Sequence, residues 1–369
     1  MPGSSPRIAR VEHRALSLSL NEPFGISGGS QDQARIAVVQ VWLDDGTLGI
    51  GEAAPLPAYN GETLEDVLSA LEAARPLWVG AEAAQFRLRA LELRPVTLQS
   101  PSARCALEVA LADALARRAR LPLDAWFGGS GARNLVSDVT LPIMDAATAK
   151  SAAERWWARG FRCLKIKVGS GDDLGRVRGA HAGAPGARLL LDANAGLSAS
   201  AALALIDDLA SAGIAIDLFE QPVAADDWAG LERVSKRVRL ALDESVVDAA
   251  SAVIAANRLG PPHVLNVKLM KSGIVEALDI VAVARATGLS LMIGGMLESA
   301  LAMSASACFA AGQGGFEFVD LDTPLFIVNS PLRGGFEMHG DRLDLSSIEL
   351  GHGVRLDESA EPSARAIED

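Results

Sequence analysis

Two lysines, two residues apart in "CLKIKVGSG" (163–171), pose the first chemical question. Lys165 and Lys167 leave the same face of an extended strand, while Leu164, Ile166 and Val168 leave the other. A second cation beside Lys167 disfavours its protonated form, which suits a lysine that acts as a base. Further along, "ARLLLDANAG", "GIAIDLFEQP" and "VRLALDES" end their apolar runs in Asp192, Glu220 and Asp243, and "HVLNVKLMKSG" ends its run in Lys268. Any one of these acids, taken alone, reads as a helix cap or an ion-pair partner. Three in phase with one repeat repel each other unless a cation sits among them, and oxygen donors on rigid strand ends suit Mg²⁺. Asn194 and Glu244 stand beside them as supporting groups or caps. The histidines His13, His181, His263, His339 and His352 are scattered and miss the strand ends, which argues against zinc. A metal between two lysine groups suits removal of the weakly acidic proton next to a carboxylate. The enediolate that forms is stabilised by metal and ammonium charge, and bases on opposite faces permit racemisation or epimerisation.

The elements that must position these groups follow from the same runs. From about residue 134 onward, short apolar stretches alternate with Ala-rich helical segments, the texture of parallel βαβ units. The strand-end residues Lys167, Asp192, Glu220, Asp243 and Lys268 are separated by 25, 28, 23 and 25 residues, one βα unit each. Polar residues at so many successive strand ends converge only in a closed ring, whose C-terminal face carries the chemistry. An open doubly wound sheet ranks lower, since no G-x-G-x-x-G follows a first strand. Before the barrel, "RIAVVQVWLDDGTLGIGEAAP" (35–55) predicts two strands joined by an Asp-Asp-Gly turn, and helices are expected over 62–76 and 101–120. After 331 the pattern returns to turns and short strands, and the tail "DESAEPSARAIED" is expected to be loosely held.

Composition sets the bounds. The chain has 369 residues, 49% hydrophobic and 22% charged, enough for a large core, and a formal net charge of −12 that argues against nucleic acid and anionic membranes as partners. Cys105, Cys163 and Cys308 are odd in number, far apart and in apolar contexts, as expected of core residues in a reducing compartment. "MPGSSPRIAR" lacks an apolar leader and no long apolar run suggests a membrane span, so the expected location is cytoplasmic.

"KIK" (165–167), "DAN" (192–194), "EQP" (220–222), "DES" (243–245) and "VKLMKSGI" (267–274), with "GEAAPLPAYNGET" (51–63) and "PLDAWFGG" (122–129), resemble the muconate-lactonizing subgroup of the enolase superfamily almost end to end. The resemblance implies a modified (β/α)7β barrel (131–330), an N-terminal α+β capping domain (1–130), a C-terminal segment (331–369) that returns to the cap, and a homo-oligomer. It implies Asp192, Glu220 and Asp243 as Mg²⁺ ligands, Lys167 and Lys268 as the acid/base pair, and Lys165 as the residue that tunes Lys167 and touches the substrate carboxylate. "MLES" (296–299) and "DLDTPL" (320–325) are similar to the dipeptide epimerases of that subgroup, in which the D-x-D pair, here Asp320 and Asp322, binds the substrate's α-ammonium. Thr140 and Glu298 are expected to line the pocket. N-acylamino acid racemase and o-succinylbenzoate synthase are the rival activities, and a catalytically silent metal- or peptide-binding barrel is the rival of another class. Members specific for Ala-Glu carry an arginine where Gly28 stands here, so the second residue of the dipeptide is expected to be cationic, drawn by Asp32 and Glu62, or hydrophobic, rather than glutamate.

Overall fold

Eight short strands follow one another in space in the order they occur in the chain: Val139–Leu141, Cys163–Lys167, Arg188–Asp192, Leu218–Glu220, Leu240–Leu242, Val264–Val267, Ser290–Gly294 and Phe316–Asp320. Every neighbouring pair is parallel. The Asp138 N–H donates to the Val319 carbonyl at 2.9 Å, which brings the first strand back to the eighth and closes the ring. In this computed structural model, residues 5–26, 29–129 and 131–357 are described. Gly28 and the tail after Asp357 lie outside them, so the expectations placed there are not addressed by the fold. An α-helix follows each of the first seven strands, and only a short 3-10 turn, Thr323–Leu325, follows the eighth, so the barrel is (β/α)7β. Helices cover the outer face and side chains fill the inner one, which is why these strands read as unbroken apolar runs.

The inner face is layered. Cys163, Leu190, Leu218, Ala241, Val264, Met292 and Phe318 form an apolar cluster of their own, the floor of the barrel. Two residues further along, the same face carries Lys165, Asp192, Glu220, Asp243, Asn266, Gly294 and Asp320. The strand period of two therefore stacks one chemical layer directly on one apolar layer.

Above the barrel, strands Ile8–Ile26, Gly29–Leu43 and Leu48–Ala53 form an antiparallel sheet, and Ile327–Val328 from just beyond the barrel adds a fourth strand to it. The Asp-Asp-Gly turn is present, with Asp45 Oδ1 accepting the Thr47 N–H at 3.0 Å. Helix Leu64–Trp78 opens on a capping box between Thr63 and Asp66. Helix Pro101–Arg118 packs directly on Leu48–Ala53, where a Cβ at Gly51 would come within 2.0 Å of the Ala106 carbonyl. That same helix ties cap to barrel. Glu108 accepts the N–H groups of Ile274 and Val275 at 2.6 and 2.9 Å, capping the part of helix Leu269–Thr287 that resumes after a break at Gly273. The three cysteines are buried and free. Among the described residues no helix is long and apolar enough to cross a membrane.

Candidate active site

The strand register sets the acids side by side: Lys167 is level with Asp192, and Asp192 with Glu220. Their side chains meet at the mouth of the barrel. Lys165 Nζ lies 2.9 Å from Asp192, 2.7 Å from Glu220 and 2.7 Å from Asp320. Lys167 Nζ lies 2.7 Å from the same Asp192 oxygen and 2.9 Å from Asn194 Oδ1. On the opposite arc, Lys268 Nζ lies 2.6 Å from Asp243 and 3.9 Å from Glu220. Asp192, Glu220, Asp243 and the three lysines are all buried.

These neighbours decide the charges. Burial alone would raise Asp192, but Lys165, Lys167 and Lys268 hold it below the usual carboxylate range. Burial would likewise raise Asp243, and Lys268 and Lys271 hold it low. Glu220 is pushed up to about 7 by burial and by Asp192. Burial would depress Lys165 and Lys268, yet the carboxylates outweigh it: Asp192, Asp320 and Glu220 hold Lys165 above the ordinary lysine range, and Asp243 and Glu220 do the same for Lys268. The nearest groups to Lys165 are thus acids.

Loops after the strands hold this cluster in place. Gln221 of "EQP" accepts the N–H groups of Asp243 and Ser245 through Oε1 and donates through Nε2 to Ser245 Oγ, which locks two successive strand ends together. Asn194 and Gln221 adopt the left-handed backbone, with φ of 42° and 32°, at the turns just past Asp192 and Glu220. Sequence reasoning gave no role to Lys271, whose ammonium binds Asp243 Oδ1 at 2.6 Å and the carbonyls of Asp243, Val246 and Asn266. Nor did it give one to Asn266, which donates to Glu220 Oε1 at 2.7 Å. Asn266 stands two residues before Lys268, so the period of two already placed it on the inner face. Tyr59 of the cap was missed as well; its ring lies 6.0 Å from Lys268 Nζ.

The donor set fits a hard divalent cation: three buried carboxylates on successive strand ends, with Asn266 Oδ1 and Glu244 Oε2 buried beside them and lacking hydrogen-bond partners among the described residues. Burial, then Asp243 and Asp192, push Glu244 up to about 8.

A cavity of about 30 Å³ opens onto this cluster, lined by Lys165, Lys167, Lys268, Thr140, Asp320 and Asp322 among others. Asp322 Oδ2 accepts the Thr140 N–H at 2.5 Å. Glu298, expected to line the pocket, is not among the residues around this cavity; its Oε1 accepts the Met296 N–H at 2.6 Å. Leu56, Tyr59 and Met296 separate this cavity from a larger one, about 370 Å³, between cap and barrel. Glu62 borders that larger space but is buried and bonded to Ser102 Oγ at 2.6 Å, so its carboxylate is committed to the start of helix Pro101–Arg118. Asp32 is exposed and borders a separate outer cleft. The two acids therefore do not form one cation-selecting patch.

A capped parallel barrel with lysines on either side of a strand-end carboxylate set defines a class of barrel enzymes. The pattern "Mandelate racemase / muconate lactonizing enzyme, N-terminal domain" matches residues 9–128, and "Enolase C-terminal domain-like" matches residues 147–360. An aromatic dipeptide epimerase of Herpetosiphon aurantiacus is 43% identical over 95% of this chain and 99% of its own. The solved structure of a mandelate racemase/muconate lactonizing enzyme from Roseiflexus sp. is 48% identical, with a TM-score of 0.89 over 96% of this chain and 99% of that one. A dipeptide epimerase from Enterococcus faecalis, solved with Mg and the dipeptide L-Leu-L-Tyr, is 31% identical with a TM-score of 0.89 over 94% and 99%. The chain belongs to the mandelate racemase/muconate lactonizing enzyme family of the enolase superfamily.

Proposed function

We propose that the protein is a Mg²⁺-dependent dipeptide epimerase that inverts the C-terminal residue by 1,1-proton transfer. The observation that carries this reading is the pairing of Lys167 and Lys268 across the ring, at the end of the second strand and just past the sixth of eight, with an Asp-x-Asp pair at the end of the eighth. Asp192, Glu220 and Asp243 hold the cation. When bound, Mg²⁺ would supply Lewis acidity to the substrate carboxylate. One lysine takes the α-proton from its face of the substrate and the other returns a proton to the opposite face. The Lys165 ammonium stabilises the enediolate. Asp320 and Asp322 accept hydrogen bonds from the free α-ammonium, and Thr140 holds Asp322 in place. In this reading residues 1–130 and 331–369 form the cap and 131–330 the catalytic barrel.

The second residue of the dipeptide is a large apolar one. The largely apolar wall shared by the two cavities supports this, as does the likeness to an aromatic dipeptide epimerase. A dipeptide library incubated in deuterium oxide with Mg²⁺ and read by mass spectrometry should show label at the α-carbon of the C-terminal residue, foremost in dipeptides ending in aromatic or aliphatic residues. Preferred labelling of Ala-Glu would overturn the specificity, and labelling confined to N-acylated amino acids would overturn the function in favour of a racemase.

A further inference from the structure

Asp138 is a buried acid that the proposed chemistry leaves unused. It is 3% exposed, and neither of its carboxylate oxygens has a hydrogen-bond partner among the described residues. Asp322 Oδ1 is orphaned in the same way, its Oδ2 being committed to Thr140. One oxygen from each of Asp138, Asp320 and Asp322 lies within 4.8 Å of the other two. Burial first, and the neighbouring Asp320 next, push Asp138 far above the usual carboxylate range. Lys165 gives one ammonium to Asp320, but shares it with Asp192 and Glu220.

The spacing leaves room for one small cation among the three acids. Three acceptors around one tetrahedral ammonium, each at about 2.8 Å, stand about 4.6 Å apart. A primary ammonium brings three N–H donors and one positive charge, whereas an N-acyl nitrogen brings one donor and no charge. We infer that Asp138 is the third arm of the substrate ammonium site, so that Asp138, Asp320 and Asp322 each accept one of the three N–H bonds. The inference rests on the reading that Asp320 and Asp322 receive the dipeptide's α-ammonium. Asp138 then does two things. It turns a two-sided contact into a cage that fixes the peptide along the line from the eighth strand to the lysines, and it penalises any substrate whose nitrogen is blocked.

The test is Asp138→Asn, with Asp138→Ser as a second, smaller replacement, in the full-length protein with Mg²⁺. Removing one charge-assisted hydrogen bond should raise KM for the dipeptide by about 10- to 100-fold, with kcat within about threefold. The melting temperature without substrate should stay level or rise, since a buried carboxyl group without hydrogen-bond partners among the described residues is removed. Affinity for the des-amino analogue of the same dipeptide, measured by calorimetry, should be equal in wild type and variant. A KM within twofold of wild type in a folded variant overturns the inference, as does an equal loss of affinity for the des-amino analogue. A drop in the number of Mg²⁺ bound per chain also overturns it, since the trio would then be a metal site. Failure of the underlying reading looks different: wild type would then turn over N-acylamino acids and leave dipeptides untouched.

Discussion

At the residue scale, the two lysines differ in what they must give up before they react. Lys167 shares Asp192 with Lys165 and has Asn194 as its other partner, whereas Lys268 is bonded to Asp243 and shares that acid with Lys271. Each sits on its own arc of the ring, and in the proposed function each serves one stereoisomer. Lys167→Ala and Lys268→Ala should both lose epimerisation, by a factor of about 10³ or more if proton transfer by the missing base is required. Each variant should still exchange the α-proton of one epimer with deuterium oxide, and the two variants should favour opposite epimers. Epimerisation at the wild-type rate by either variant would rule out one base per face. Most of this cluster was legible in the sequence, because strand-end chemistry shows as a polar residue that stops an apolar run. Lys271, Tyr59 and Asp138 were not. Lys271 acts from the start of a helix, Tyr59 comes from the cap, and Asp138 lies before a strand of only three residues, so none of them interrupts a run.

At the element scale, the helix that starts beside Lys268 is the least regular part of the barrel. Gly273 breaks it with φ 71° and ψ 178°, and the chain resumes as helix only because Glu108 of the cap satisfies the freed N–H groups of Ile274 and Val275. A Cβ at Gly273 would lie 2.8 Å from the Glu108 carboxylate, in a backbone region that side chains rarely adopt. Gly273→Ala should therefore destabilise the protein by about 1–3 kcal/mol, read as a lower urea midpoint. An unchanged midpoint would mean that cap and barrel are held together elsewhere. The sequence showed this segment only as "KLMKSGI", a motif with a glycine in it; the reason for the glycine is a carboxylate 165 positions earlier in the chain, which no local pattern contains. The hairpin at 44–46 and the cap helices were legible, since turn residues and helical periodicity are local signals.

At the scale of the whole molecule, acids buried between cap and barrel make folding sensitive to pH in an unusual direction. Glu52 binds Ser299 across that boundary, and Glu108 caps the barrel helix. Burial pushes both up to about 7, and the bonds each accepts only partly offset this. A carboxyl group whose folded pKa lies above its unfolded value binds more protons when folded. Its contribution to stability is full below the unfolded value near 4.5 and is lost as pH rises through about 7. Asp192 and Asp243 are shifted the other way, so their contribution is present above the ordinary carboxylate range and lost only in acid, below this window. Between pH 5 and pH 8 this pair therefore contributes a fall, at most about 3 kcal/mol for each fully buried group, in the same direction as Glu62, Glu220, Glu244, Glu298 and Asp322, which burial also raises, and against His263 and His352, which burial lowers. Thermal melts across that range should show the melting temperature falling as pH rises. Glu52→Gln and Glu108→Gln, which stay neutral and keep an acceptor oxygen, should each flatten the fall, and the double variant should flatten it further. An equal pH dependence in wild type and the double variant would mean that these two carboxyl groups do not change protonation on unfolding in this range.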